Sequence, residues 1–126
     1  MKRDASSPPP DIAARTIAYS LRLVRLFRVL ERDGAGKILG RQLLRSDTSV
    51  GANVHEAQGA QSHADFIAKM SIAHKEARES AYWIQLIAES ELVTPAALAA
   101  LQDETTQLIK ILSSILLTAK HGPRNS

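Results

Sequence analysis

Arginines are the residues of this sequence best placed to do chemistry. Arg15, Arg22, Arg25, Arg28 and Arg32 recur along the stretch 11–32, and with only Asp11 and Glu31 against them the stretch is net +3. A guanidinium stays charged at every relevant pH and clamps a phosphate with two parallel hydrogen bonds. Arg15, Arg22, Arg25 and Arg28 are therefore candidates for binding nucleic acid through its phosphates, with little reading of bases. A solvated helix face would use the same residues. In a symmetric oligomer the stripe repeats around the axis and concentrates the positive field.

A second polar set follows, with Arg45, Ser49, Asn53 and Glu56 near i+4 spacing. Burying Arg45 or Glu56 without a partner would cost several kcal/mol, so a buried member needs one. The stripe is either an inter-helix hydrogen-bonded layer, with Arg45 meeting Glu76 or Glu79, or a site for a ligand or partner. Glu76 and Glu79 could form an acid–base pair, but such acids more often pair with arginine or face water. Catalytic patterns are otherwise missing from the sequence. It has no Glu-x-x-His, and His55, His63, His74 and His121 lie too far apart for a local zinc motif. Gly34 and Gly36 are an ordinary loop rather than a phosphate cradle, and no Gly-x-Ser-x-Gly frames a nucleophile. The expectation is no enzyme, no metal and no cofactor.

The elements that must position these residues are helices. Ile12, Tyr19, Leu23, Leu26 and Leu30 share one face of a helix over 11–32. Ile17, Leu21, Val24 and Phe27 widen that face beyond what one core needs, which suits an oligomer. Asp33-Gly34-Ala35-Gly36 should end it, with a glycine as left-handed cap. A second helix over 37–58 carries Leu39, Leu43, Val50 and Val54, weakened by Thr48, Ser49 and Gly51 and stopped by Gly59. Ser62 with Asp65 reads as the N-cap of a third, running to about residue 91, with Phe66, Met70, Ala73, Ala77, Ala81 and Ile84 as its seam. Thr94-Pro95 opens a fourth, over 95–120, before Gly122-Pro123. No period-2 run signals a strand. Residues 1–10, with Pro8 to Pro10, are expected to be a disordered arm, 11–121 the bundle domain and 122–126 a frayed tail. The fold class expected is all-α, an antiparallel up-down-up-down four-helix bundle.

Composition agrees with this. At 126 residues there is room for one domain, and aromatics at 4% leave Ala, Leu and Ile to fill the interior. The same scarcity argues against a platform that stacks single-stranded bases. There is no Cys, hence no disulfide framework or thiolate site. No apolar run is long enough to span a membrane, and a basic start without an apolar run behind it argues against a signal peptide. A cytoplasmic location with no membrane partner is expected.

From Arg41 the chain reads RQLLRSDTSVGANVHEAQGA, and from Asp65 DFIAKMSIAHKEARESAYWIQL. These segments resemble the four-helix bundle proteins encoded in 23S rRNA intervening sequences, also called S23 ribosomal-protein-like. That family is related to accessory proteins of diversity-generating retroelements. Gln42, Arg45, Ser49, Val50, Asn53 and Glu56 stand at the positions of its helix-2 pattern, and Phe66 and Glu79 match helix 3. Ala57 replaces a common Gly, and Lys75 and Glu76 replace a usual Gly-Ser pair, as in a divergent subgroup. The resemblance covers roughly 12–119 and implies a homopentamer. It also implies RNA or DNA as ligand and a reverse transcriptase or ribosomal component as partner. The function expected is a non-enzymatic, oligomeric RNA-binding bundle acting through its basic surface. The alternative is a structural or protein-adaptor bundle acting through protein contacts.

Overall fold

The computed structural model describes residues 11–121, so the expected arm and tail lie outside the described residues. Four helices make up the fold: α1 (Ile12–Leu30), α2 (Gly34–Gln58), α3 (His63–Glu89) and α4 (Pro95–His121). Among the described residues there is no strand. Each start has a local cause. Asp11 accepts the Ala13 N–H at 3.0 Å, Asp33 the Gly36 N–H at 2.9 Å and Ser62 Oγ the Asp65 N–H at 3.0 Å. These contacts satisfy donors that a helix end leaves without partners. Asp65 reaches back to the Gln61 N–H at 3.3 Å, one residue before the cap. Pro95 holds the first position of α4, where its missing N–H costs nothing.

The α1–α2 turn corrects the sequence reading. α1 stops at Leu30 rather than Arg32, and Gly34, Ala35 and Gly36 are the first turn of α2 instead of a glycine cap. No glycine has positive φ among the described residues. Asp33 is an N-cap that sequence reasoning assigned to the preceding helix end. Gly36 is needed for space, because a Cβ there would run into the Leu30 carbonyl. α3 likewise ends at Glu89, short of residue 91, and Glu91 makes the following turn at φ 59°.

The helices pack α1 on α2, α2 on α3 and α3 on α4, with α1 touching α4 more sparsely. The α1–α2 approach is close where side chains vanish: Gly51 lies beside Thr16, and a Cβ on Gly40 would come within 2.7 Å of the Phe27 ring. Inside are two apolar clusters. One joins Leu23, Leu26, Leu30, Leu43, Ile84 and Leu98, with Tyr19 at its border. The other joins Val50, Val54, Met70, Ala73, Leu112 and Leu116. Between them run the buried polar residues, at least one from every helix: Thr16, Ser46, Asp47, Ser80 and Thr105. Tyr19 bonds Thr105, Ser20 bonds Asp47 and Ser46 bonds Ser80, so this layer ties α1 to α4, α1 to α2 and α2 to α3.

Candidate nucleic-acid interface

The arginines of α1 divide in two. Arg15 is drawn into the α1–α4 seam, where its guanidinium grips both carboxylate oxygens of Glu104 at 2.8 and 3.2 Å and the Gln107 amide oxygen at 3.1 Å. Its Nε and Nη2 donors are spent inside the chain, which sets it apart from the other arginines expected to bind phosphate. Arg22, Arg25, Arg28 and Arg32 form no ion pair with an acid among the described residues. Arg22, Arg25 and Arg28 share an arc of roughly 120° on α1, and Arg32 follows in the turn just past the C-cap Glu31. Arg22 is half-buried while Arg25, Arg28 and Arg32 are exposed. Arg22 and Arg25 rim a shallow α1–α4 groove floored by Leu26, Val29, Ala97 and Leu101. Val29 and Leu21 within this arc, and Ile17 beside it, are exposed apolar residues, with Leu21 at 53% and Ile17 at 51%.

The helix-2 stripe lies along the α2–α3 seam. Arg45 pairs with Glu79 and, at 3.7 Å, with Glu76. Glu56 pairs with Lys69 at 3.4 Å. Asn53 turns its amide N–H onto its own helix, to the Ser49 carbonyl at 2.9 Å and hydroxyl at 3.3 Å. Gln42 is exposed. So Arg45 and Glu56 reach across to Glu76, Glu79 and Lys69 on α3, while Ser49 and Asn53 bond each other within α2. Trp83 donates its indole N–H to Glu79 at 3.0 Å, and this bond, then the Arg45 guanidinium, holds the Glu79 carboxyl below its ordinary range. A general acid needs the opposite shift. Burial pushes the His74 imidazole below its ordinary value, helped by Arg78 and Lys120. Among the described residues no group of three or more His, Asp or Glu is placed to hold a metal ion. No helix there is long and apolar enough to cross a membrane.

Sequence reasoning missed two features. One is the Arg15–Glu104 clamp, which joins residues far apart in the chain. The other is Asp47, fully buried and bonded through Oδ2 to Ser20 Oγ at 2.6 Å. A signal for Asp47 existed: it stands four residues after Leu43 and three before Val50, in register with the apolar stripe of α2.

Comparison with known proteins agrees with this architecture. Residues 11–114 match the family model described as 23S rRNA-intervening sequence protein. A crystal structure of a protein of unknown function from the S23 ribosomal protein family of Bacteroides thetaiotaomicron is similar along most of its length. It is 37% identical, with a TM-score of 0.79, and the match covers 83% of this chain and 97% of that one. No curated protein matches.

Proposed function

The chain belongs to the 23S rRNA-intervening sequence protein family, and from that footing we propose that it is a non-enzymatic, oligomeric bundle that binds nucleic acid, RNA above all, through α1. One observation carries the reading. Arg15, Arg45 and Lys69 meet acids in helix seams, whereas Arg22, Arg25 and Arg28 share one arc of α1, with Arg32 just past its end, and none of these four has an acidic partner among the described residues. A row of unpaired guanidinia suits phosphate contacts, whose affinity comes largely from released counterions. Helices in up-down-up-down order and a homopentamer in the cytoplasm complete the proposal. Support for the order comes from the pairs Thr16 with Gly51, Phe27 with Gly40 and Glu56 with Lys69. Support for assembly comes from Ile17 and Leu21, whose exposure leaves apolar surface uncovered in a lone chain.

The test is binding of the purified protein to labelled RNA and DNA duplexes over a salt series. Submicromolar binding that weakens steeply with salt is expected, and its slope counts the phosphates engaged. Reversal of Arg25 and Arg28 should weaken binding and flatten that slope. Unchanged binding after the reversal would sink the assignment.

The protein-adaptor reading draws on a different observation, the nearly apolar α1–α2 groove lined by Ile17, Leu21, Val24, Gly51 and Ala52. It takes precedence if no duplex binds even at low salt, with a reverse transcriptase or a ribosomal component as the partner class to try.

A further inference from the structure

One carboxylate has no part in phosphate binding or in the α2–α3 seam. Asp47 is buried at the α1–α2 contact, in the polar layer between the two apolar clusters. Its Oδ2 accepts from Ser20 Oγ at 2.6 Å, and its Oδ1 has no hydrogen-bond partner. Arg15, Arg45 and Lys69 pair with other acids, Glu104, Glu76, Glu79 and Glu56, and none of the three meets Asp47. A buried negative charge with one hydrogen bond and no counter-charge is costly, and such a group relieves the cost by taking up a proton.

The surroundings offer little help to the ionised form. From α1 come the Ser20 hydroxyl and the Tyr19 phenol. Burial raises the phenol well above its ordinary value, and the neighbouring Asp47 and Glu104 charges add to this while Arg22 and the Thr105 bond oppose it. On α4, Thr105 is bonded to Tyr19 and Glu104 is held by Arg15. On α3, Ser80 is bonded to Ser46 and Glu76 is paired with Arg45.

We propose that Asp47 is a proton-operated latch on the α1–α2 seam. With its proton the carboxyl is neutral and α1 closes over it. Without it, an uncompensated charge sits at mid-height in the bundle and weakens the hold of α2 on the helix that carries the arginines. Burial, opposed only by the Ser20 bond, pushes this carboxyl up to about 6 from the ordinary 3.8. The native state therefore keeps the proton to higher pH than the unfolded chain does. The stabilisation is complete below the unfolded value and is lost as pH rises through the folded value. His74 works in the opposite sense, since its lowered value costs stability as pH falls through the ordinary imidazole range. A variant that neutralises Asp47 alone separates the two.

The experiment is urea denaturation of the full chain and of Asp47→Asn at pH 7.5 and pH 5, at one chain concentration. The folding constant of the natural chain, divided by that of Asp47→Asn, should rise about tenfold between the two pH values. A ratio that stays constant overturns the latch. If Asp47→Asn does not fold, carbon-detected NMR titration of the Asp47 carboxyl in the natural chain decides. A midpoint near 6 is expected, and a midpoint in the ordinary aspartate range overturns the proposal.

Discussion

At the scale of single residues, what matters about a cation here is whom it already holds. Arg15 looks like its neighbours in the sequence, but its Nε and Nη2 donors point at Glu104 and Gln107. Replacing Arg15 with Gln should leave RNA affinity within about twofold, because no phosphate contact is lost. It should lower stability by about 1 kcal/mol, the order expected for a partly exposed bidentate pair. Neutralising Arg25 and Arg28 together should instead reduce the salt slope of binding by about two, one per lost contact. Filter binding over a salt series and urea melts read both outcomes. The Arg45 pairing with Glu76 or Glu79 was readable in the sequence because both partners lie on helices with an evident apolar phase. Arg15–Glu104 was not, because nothing local in α1 records the phase of α4. A third residue-level prediction concerns the buried phenol. Tyr19→Phe should cost about 1 kcal/mol, since Thr105 keeps its bond to the Leu101 carbonyl at 2.7 Å and is not left unsatisfied.

At the scale of elements, the glycines of α2 behave differently according to what stands opposite. Gly40 faces the Phe27 ring at 2.7 Å from an added Cβ, while Gly34 has nothing within 4 Å. Gly40→Ala should therefore destabilise the α1–α2 seam by about 1–3 kcal/mol through overpacking. Gly34→Ala should be neutral or stabilise by up to about 1 kcal/mol through reduced freedom of the unfolded chain. Thermal melts of the two variants make the comparison. The number of helices, the cap at Ser62, the opening of α4 at Pro95 and most of the buried stripe were legible as periodicity and punctuation. The start of α2 was not. Two glycines around an alanine read locally as a break, and only the tertiary approach of Leu30 to Gly36 explains why small residues lie inside a helix. Asp47 escaped notice for a related reason. Charged residues are read as outward-facing, and a lone carboxylate in an apolar phase looks like an exception until its neighbours are known.

At the scale of the whole molecule, the proposed oligomer has a direct consequence for surface variants. Ile17→Asp or Leu21→Asp should shift sedimentation from an assembly to a single chain while far-UV circular dichroism stays helical, because both side chains are already half in solvent within one chain. Unchanged sedimentation for both variants would place the contacts between copies elsewhere. The buried polar layer bears on a different property, the vertical alignment of the four rods. Leucine against leucine tolerates sliding, so two apolar clusters alone would accept several alignments of nearly equal energy. Ser46 with Ser80, Ser20 with Asp47 and Tyr19 with Thr105 cannot all be kept if one helix moves by a turn. The Tyr19 and Ser20 hydroxyls would then lose their partners, at about 1–3 kcal/mol apiece, while Ser46, Ser80 and Thr105 keep their bonds to carbonyls of their own helices. The layer works as a set of dowels, and it leaves the apolar halves above and below free to be rebuilt one at a time by a protein engineer without the rods losing their places.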